Sequence, residues 1–548
     1  MNYGLRKFKN MKAFKIIIIA LILCVACSEE TLEVKPVNQY LSENFYSTNE
    51  QVYAALIAAY DPIGWSMAFG QWVSPVMFGE IRSDNANAGG DPSDNDQPAW
   101  QELDDFRETN TNTLLQPIYR KHYIGVFRAN LVILQTELAT PEVERYKAEA
   151  KFLRAYYHFE LFRHFGPLPV VTELLTPDDI NLERSTMTEM MTAITDDLKA
   201  AIDVLPTTLS DVEVGRASRG TAQALLGKVY LYWADLDGDD PAKFDLAAQY
   251  LQEVVNSGQY ALVDDFSTLF DYGTKNPIES VLEIQHTNLW PGDWGWFEGI
   301  EANGILQLCG IRGLCSGHPE YAAGWGFMLP TQDLNDHFLP DDQYRRDVAI
   351  VSIPELTQEV ADAGAADCGV VVDITQVNPQ DHTGFWQQKF SNYKAYNGNN
   401  VNGGDPNLTK DANTYAIRYA DVLLMLAEAM HRGSGSDGNA LTYIDMVRER
   451  AAGPGDNTGS FKTGQTIMTE QNWTLLDLIW YERRAELAGE GDRWYDLVRS
   501  GRATSDLFSG DPIRSGNLDP QKVWIPVALE ETSVAHQIST YPENELFQ

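Results

Sequence analysis

"VERYKAEAKFLRAYYHFELFRHFG" (Val143–Gly166) places Phe152, Tyr156, Phe159 and Phe162 at spacings of three and four, with small residues at Ala148 and Ala155. That spacing gathers the rings on one face of a 3.6-residue helix, whereas a strand alternates its faces every second residue. "RASRGTAQALLGKVYLYWA" (Arg216–Ala234) does the same through Ala222, Leu225, Leu226, Val229 and Trp233. "KFDLAAQYLQEVVNSGQYAL" follows after a short turn and stops at Gly258, a residue that commonly ends helices. An apolar helix face has to bury against a neighbour. These segments therefore predict a mostly α scaffold of tetratricopeptide-like helix pairs, although no clean repeat of about 34 residues is visible. Further helices are expected over Asn413–Met430, Ala440–Arg450, Trp473–Leu487 and Arg493–Arg499.

Between Phe266 and Gly404 the texture changes to Gly, Pro, Asn, Asp and aromatic residues. "SVLEIQHT" and "GVVVDIT" are candidate short strands in what otherwise reads as a long irregular insertion. Insertions of this length are either functional or disordered, and the aromatic content favours function. The expected organisation is one domain over 46–548, with a helical N-terminal half (46–260), a loop-rich region (265–405) and a helical C-terminal part (410–548).

Ahead of that domain, Arg6, Lys7, Lys9, Lys12 and Lys15 form a basic head, and Ile16–Ala26 is an apolar run too short for the roughly 20 residues of a spanning helix. The pattern is that of a secretory signal over 1–26. Cys24-Val25-Ala26-Cys27 closes it as a lipobox does, so Cys27 is the expected lipid-bearing residue and 27–45 the lipidated tether. An ordinary cut near Ala26, with Cys27 incidental, is the plainer alternative.

Removing the five basic residues of the leader takes the formal charge from −37 to about −42. Such a surface repels phosphate backbones, which excludes nucleic acid and anionic lipid as partners. An apolar content of 44% with 22% charged residues excludes a disordered chain. Cys309, Cys315 and Cys368 remain besides Cys27. Outside the cell, Cys309 and Cys315 in "LCGIRGLCSG" can bridge; three free thiols is the equal alternative.

Five segments in order, "AEAKFLRAYYHFELFRHFGPLPVV", "RASRGTAQALLGKVYLYWA", "GWGFMLPTQDLNDHF" with "DDQYRRD", "RYADVLLMLAEAM" and "ERRAELAGEGDRWYDLVRSG", resemble the SusD/RagB family of outer-membrane nutrient-binding lipoproteins. "EIRSDNA" and "WIPVALEE" add weaker matches. The resemblance implies a helical, tetratricopeptide-containing fold and a surface-exposed outer-membrane lipoprotein. It also implies a SusC-like TonB-dependent transporter as partner, to which a glycan (in some relatives a peptide) is delivered. Glu29 and Glu30 resemble the export tag of such lipoproteins.

The residues themselves suit a sugar. A pyranose ring has an apolar C–H face edged by hydroxyls, which a Trp or Tyr ring and nearby Asp, Asn or Gln complement. "NLWPGDWGWFEG" sets Trp290, Trp294 and Trp296 among glycines with Asp293 between them, and Trp100 ends the polar loop "RSDNANAGGDPSDNDQPAW". Trp290, Asp293, Trp294, Trp296, Trp100 and Tyr321 are the expected ligand contacts. The competing reading is that these rings pin loops to the scaffold. Trp325, in a segment shared across the family, is expected in the core. Trp65 and Trp72 belong either to the ligand face or to the transporter contact.

The remaining motifs carry less. Asp235, Asp237, Asp239 and Asp240 crowd one turn, and calcium takes such oxygen ligands, but the loop lacks EF-hand order. A solvated acidic turn before a helix is the favoured reading, and no cofactor is expected. Glu482, Glu486 and Glu490 stand at spacing four with Arg483, Arg484, Arg493 and Arg499 interleaved, a pattern of salt-bridged helix packing rather than of catalytic acids. His158 and His164 read as packing residues. No HExxH, P-loop, GxSxG or Rossmann motif occurs. Three functions remain: a glycan-capturing lipoprotein, a glycoside hydrolase on a helical scaffold, and a tetratricopeptide module for protein or peptide. Of these, the first is expected, with no catalytic residues.

Overall fold

The long helices start at side chains that accept from their own first-turn N–H groups. Thr48, Thr186 and Thr474 each form a capping box with Gln51, Glu189 and Asp477. Thr140 and Asp240 cap helices whose first turns carry Pro141 and Pro241, where a missing N–H costs nothing. The computed structural model describes residues 45–90, 96–179, 181–289, 294, 299–364, 383–398, 404–454 and 461–534. We number its helices of twelve residues or more: α1 (Asn49–Tyr60), α2 (Leu115–Leu134), α3 (Pro141–Phe165), α4 (Met187–Val204), α5 (Arg219–Leu236), α6 (Pro241–Asn256), α7 (Tyr419–Arg432), α8 (Asp437–Ala451) and α9 (Leu475–Leu487).

From α1 to α8 each of these helices packs on the next. The chain leaves the array after α6 and rejoins it at α7, which lies directly against α6. The loop-rich region is thus an excursion from a continuous helical row. The faces predicted from spacing are the buried ones: Phe152, Phe159 and Phe162 on α3, and Ala222, Leu225, Leu226 and Val229 on α5, belong to one apolar core. Gly227 lets α5 approach α6, because a Cβ there would run into the Leu251 side chain.

The excursion is more regular than its composition suggests. It contains the short helices Ile305–Cys309, Gln332–His337, Gln343–Ala349 and Ile353–Asp362. Short strands tie it back to the scaffold. β1 (Met67–Ala68), β2 (Gln71–Trp72) and β5 (Gly299–Ile300) form an antiparallel sheet in the order β2-β1-β5, with Met67 opposite both Trp72 and Ile300. β3 (Ala86–Gly89) pairs with β6 (Phe327–Pro330), and β7 (Ile350–Ser352) with β8 (Phe385–Gln387). The strand expected in "SVLEIQHT" is β4 (Ser280–Ile284), and its partner corrects the sequence reading. Thr414–Arg418, expected to open a helix, is strand β9, antiparallel to β4. Alternating Thr, Tyr and Ile suit a strand edge better than a first helical turn. The expected strand in "GVVVDIT" lies outside the described residues.

Glu482, Glu486 and Glu490 are ion-paired packing residues as expected, but their cations are not the interleaved Arg483, Arg484, Arg493 and Arg499, which pair with Asp421, Asp84, Asp333, Asp496, Asp235 and Glu428 instead. Arg345 and Arg448 pair with Glu482; Arg345, Arg418 and Arg450 with Glu486; and Arg418 and Lys389 with Glu490. Arg418 also reaches Glu279 at 2.5 Å. This buried network fastens α9 to β9, α8 and the excursion. His158 and His164 are packing residues as expected: buried, with the His164 ring between the Glu160 carbonyl (2.7 Å) and the Tyr495 hydroxyl (2.9 Å).

Candidate functional site

The sheet β2-β1-β5 forms the base of the site, with Gly299–Ile300 paired to Met67–Ala68. Two glycines admit two indoles there. A Cβ on Gly299 would collide with the Trp65 ring, and one on Gly304 with the Trp72 ring. Trp65 is buried, and its Nε1–H donates to Asp61 Oδ1 at 2.9 Å. The Arg128 guanidinium, paired with Asp61, lies 5.5 Å from the Trp65 ring centroid.

Above this base three indoles meet. Trp72 is only 3% exposed and stands edge-on to Trp294 (centroids 6.2 Å) and to Trp325 (5.8 Å). Trp294 and Trp325 lie 5.7 Å apart with 35° between planes. Trp294 is 48% exposed and Trp325 half-buried, so a buried ring braces two that reach solvent. Asp405 fixes the outer one: its Oδ2 accepts from Trp294 Nε1 at 2.6 Å while its Oδ1 accepts from the Asn407 N–H at 2.9 Å. Lys410, packed nearby and pushed down to about 8 by burial, feels the Asp405 charge. On the other side the Arg312 Nε donates to the Trp325 carbonyl at 2.8 Å, and its guanidinium pairs with Asp96. Just before Trp325, Gly324 crosses Gly310 so closely that a Cβ there would overlap backbone. The result is an apolar platform rimmed by carboxylates and one guanidinium, suited to a ring with one C–H face and hydroxyl edges.

Tyr321 lies at the other end of the Trp325 segment. Half-buried, it stacks on His318 (4.8 Å, 21°) and meets Tyr393 edge-on (5.1 Å). Its hydroxyl accepts from Gln388 at 2.9 Å, and burial pushes that phenol up to about 12.

Of the expected contacts, the structure thus brings Trp294 to an exposed platform, while Tyr321 lies four residues before Trp325. Trp290, Asp293, Trp296 and the lipid-bearing Cys27 lie outside the described residues. Trp100 is corrected. It is fully buried in the helix Pro98–Asp104, its ring 4.8 Å from that of Phe78. Pro98 starts that helix, so the residue that seemed to end a polar loop points into the core. Trp325, expected in the core, packs against the main core half-buried and also contacts Trp72 and Trp294. Trp72 is buried against Trp294 and Trp325, and Asp405 was not foreseen at all; "GGDPN" carries only a turn signal. Cys309 is a buried free thiol and Cys315 is disulfide-bonded. Neither the Cys309–Cys315 bridge nor three free thiols is therefore correct.

The acidic turn is engaged by cations. Lys243 pairs with Asp237 and Asp240, and Arg432 with Asp235 and Asp239. Among the described residues no group of three or more His, Cys, Asp or Glu could hold a metal ion. Burial and then the neighbouring Asp61 carboxylate push Glu301 up to about 7.

Comparison with known proteins agrees with this architecture. A model described as SusD family matches residues 369–537, and one described as starch-binding associating with outer membrane matches 32–231. SusD-like protein P2 of Formosa agariphila is 27% identical over 505 residues, covering 89% of this chain and 91% of that one. A solved laminarin binding SusD-like protein is 31% identical, covering 91% of this chain and all of that chain with a TM-score of 0.74. The chain belongs to the SusD family. Glycan binding in association with the outer membrane is the function class of this SusD-family protein. Surface glycan-binding protein A from Bacteroides thetaiotaomicron, solved in complex with laminarihexaose, is 25% identical and superposes with a TM-score of 0.75 over 90% of this chain and 98% of its own. The mostly helical fold with short strands expected from spacing is the family's fold.

Proposed function

We propose that this SusD-family protein is a surface-exposed lipoprotein, anchored through lipid on Cys27, that captures a laminarin-type β-glucan on the Trp72–Trp294–Trp325 platform. It passes that glycan to a SusC-like TonB-dependent transporter without cleaving it. The observation that carries the reading is the exposed Trp294 ring held by Asp405 and braced by two further indoles. Such a ring is already immobilised, so a sugar stacking on it loses affinity to ordering only on its own side. The laminarin and laminarihexaose named for two structural relatives support the choice of glycan. Two or more acyl chains anchor stably where one does not, so the lipid on Cys27 has to be a multiply acylated cysteine.

Calorimetric titration of the purified protein against laminarin, laminarihexaose, maltohexaose and a mixed peptide digest tests the ligand class. Binding of the laminarin series alone is expected, with the probe recovered uncut after long incubation. Binding of peptides alone would support the peptide-capturing alternative, and reproducible release of shorter sugars would make the protein an enzyme. Mass spectrometry of the mature N-terminus tests Cys27. Co-purification of a transporter from solubilised outer membranes tests the partner.

A further inference from the structure

Exposed aromatic rings are few among the described residues: Tyr53, Phe127, Tyr272 and Trp294. Only two of these are braced by two further aromatic rings. Trp294 is one. Tyr272, 42% exposed, is the other: it stands edge-on to Tyr396 (centroids 4.7 Å, 63°) and 6.1 Å from Tyr393. The turn that carries it is built for the purpose. Gly273 takes a positive φ of 80°, and its N–H donates to the Tyr396 hydroxyl at 3.4 Å, which seats the ring over its neighbours.

Polar groups stand beside the ring. The neighbouring Tyr393 and Tyr396 line a small cavity together with Asp271, Thr274, Ser391 and Asn413. No donor side chain or cation among the described residues meets the exposed Asp271 carboxylate, which leaves it to accept from a ligand hydroxyl. A braced ring with a carboxylate and hydroxyls at its edge repeats the chemistry of the tryptophan platform.

The two platforms are joined through one segment. Tyr393 pairs with Tyr321 by a backbone bridge as well as by ring contact. Trp325 is four residues on, so the two Cα atoms lie at most about 14 Å apart. Asn392 holds this segment by donating to the Ala323 carbonyl at 2.9 Å.

We propose that Tyr272, with Tyr393 and Tyr396 behind it, is a second sugar-contacting platform that engages a long glycan already seated on Trp294. The inference rests on the glycan-capture reading above. A chain that reaches both platforms gains the second contact at the effective concentration set by the first. A short oligosaccharide touches only the tryptophans. The protein therefore discriminates glycans by length through Tyr272.

The test titrates laminaribiose and laminarihexaose into the wild type and the Tyr272→Ala, Tyr272→Phe and Trp294→Ala variants, with melting curves in parallel. Tyr272→Ala is expected to weaken laminarihexaose about three- to tenfold, the range of an aromatic contact, and to leave laminaribiose unchanged. Tyr272→Phe should retain most of the hexaose affinity, and Trp294→Ala should weaken both sugars. Wild-type hexaose affinity in Tyr272→Ala, with Trp294→Ala impaired, overturns the second platform and leaves the first standing. Unaltered binding in Trp294→Ala, or no binding of either sugar by the wild type, overturns the capture reading and this inference with it.

Discussion

Gly304→Ala adds one methyl group beneath the tryptophan platform. A Cβ at that position would sit inside van der Waals contact of Trp72 Cζ3, with Cη2 and Cε3 at 3.1 and 3.2 Å. Carbon atoms prefer about 3.5–4.0 Å, so the Trp72 ring has to move by roughly 1 Å. It is 3% exposed and wedged against Trp294 and Trp325, so its movement displaces both. Gly304 has an ordinary backbone conformation (φ −74°, ψ −12°), and its N–H to Ser66 Oγ survives in Ala. The cost is therefore steric. Overpacking of this kind costs about 1–3 kcal/mol. With an unfolding entropy of about 2.1 cal/mol/K per residue, a chain of roughly 500 residues has about 1 kcal/mol per degree, so Tm should fall by about 1–3 °C. Near-UV circular dichroism should change with it, because the three indoles shift together. Laminarihexaose affinity should fall too. Gly516→Ala, whose Cβ meets nothing within 4 Å, is the control. A Gly304→Ala protein with wild-type Tm, near-UV spectrum and affinity would refute the close packing of Trp72.

Arg418→Met leaves Glu279, Glu486 and Glu490 buried with one cation fewer, which should cost about 3–5 kcal/mol and show as a clear Tm loss in scanning calorimetry. Glu301 binds its proton more tightly folded, at about 7, than an unfolded Glu at about 4.3. Its contribution to stability is therefore complete below about pH 4.3 and fades as pH rises through 7. The Tm difference between wild type and Glu301→Gln should accordingly shift against the wild type between pH 5 and pH 8; an unchanged difference would mean that Glu301 titrates normally. Cys309 is buried and its thiol pushed up by burial and by Glu80, so native protein should resist iodoacetamide at this residue and react there once denatured, as peptide mapping would show.

The helical row was legible because its faces repeat over many turns: Phe152 to Phe162 leave one interpretation. That Glu482, Glu486 and Glu490 serve packing was legible too, but their partners Arg345, Lys389, Arg418, Arg448 and Arg450 come from distant chain rather than from the interleaved arginines. What failed was decided by distant chain. Thr414–Arg418 is a strand because Ser280–Ile284, more than a hundred residues earlier, offers it an edge. Trp100 turned inward because Pro98 opens a helix that faces Phe78. Trp325 meets Trp72 and Trp294, 253 and 31 positions earlier, beside a close crossing of Gly324 and Gly310. Asp405 found Trp294 across 111 positions. Such pairings leave no local pattern, so the platform could be suspected from Trp294 but not assembled from the chain alone.

Trp294→Ala decides most directly whether this SusD-family protein holds its glycan on the tryptophan platform. The ring is half exposed and sits on a loop, so the fold should keep its wild-type Tm. Calorimetric titration with laminarihexaose should show a loss of about 1–3 kcal/mol, by analogy with aromatic stacking on nucleic-acid bases, or roughly five- to 150-fold in Kd. Wild-type affinity in a folded Trp294→Ala protein would contradict it and place the glycan elsewhere on the molecule.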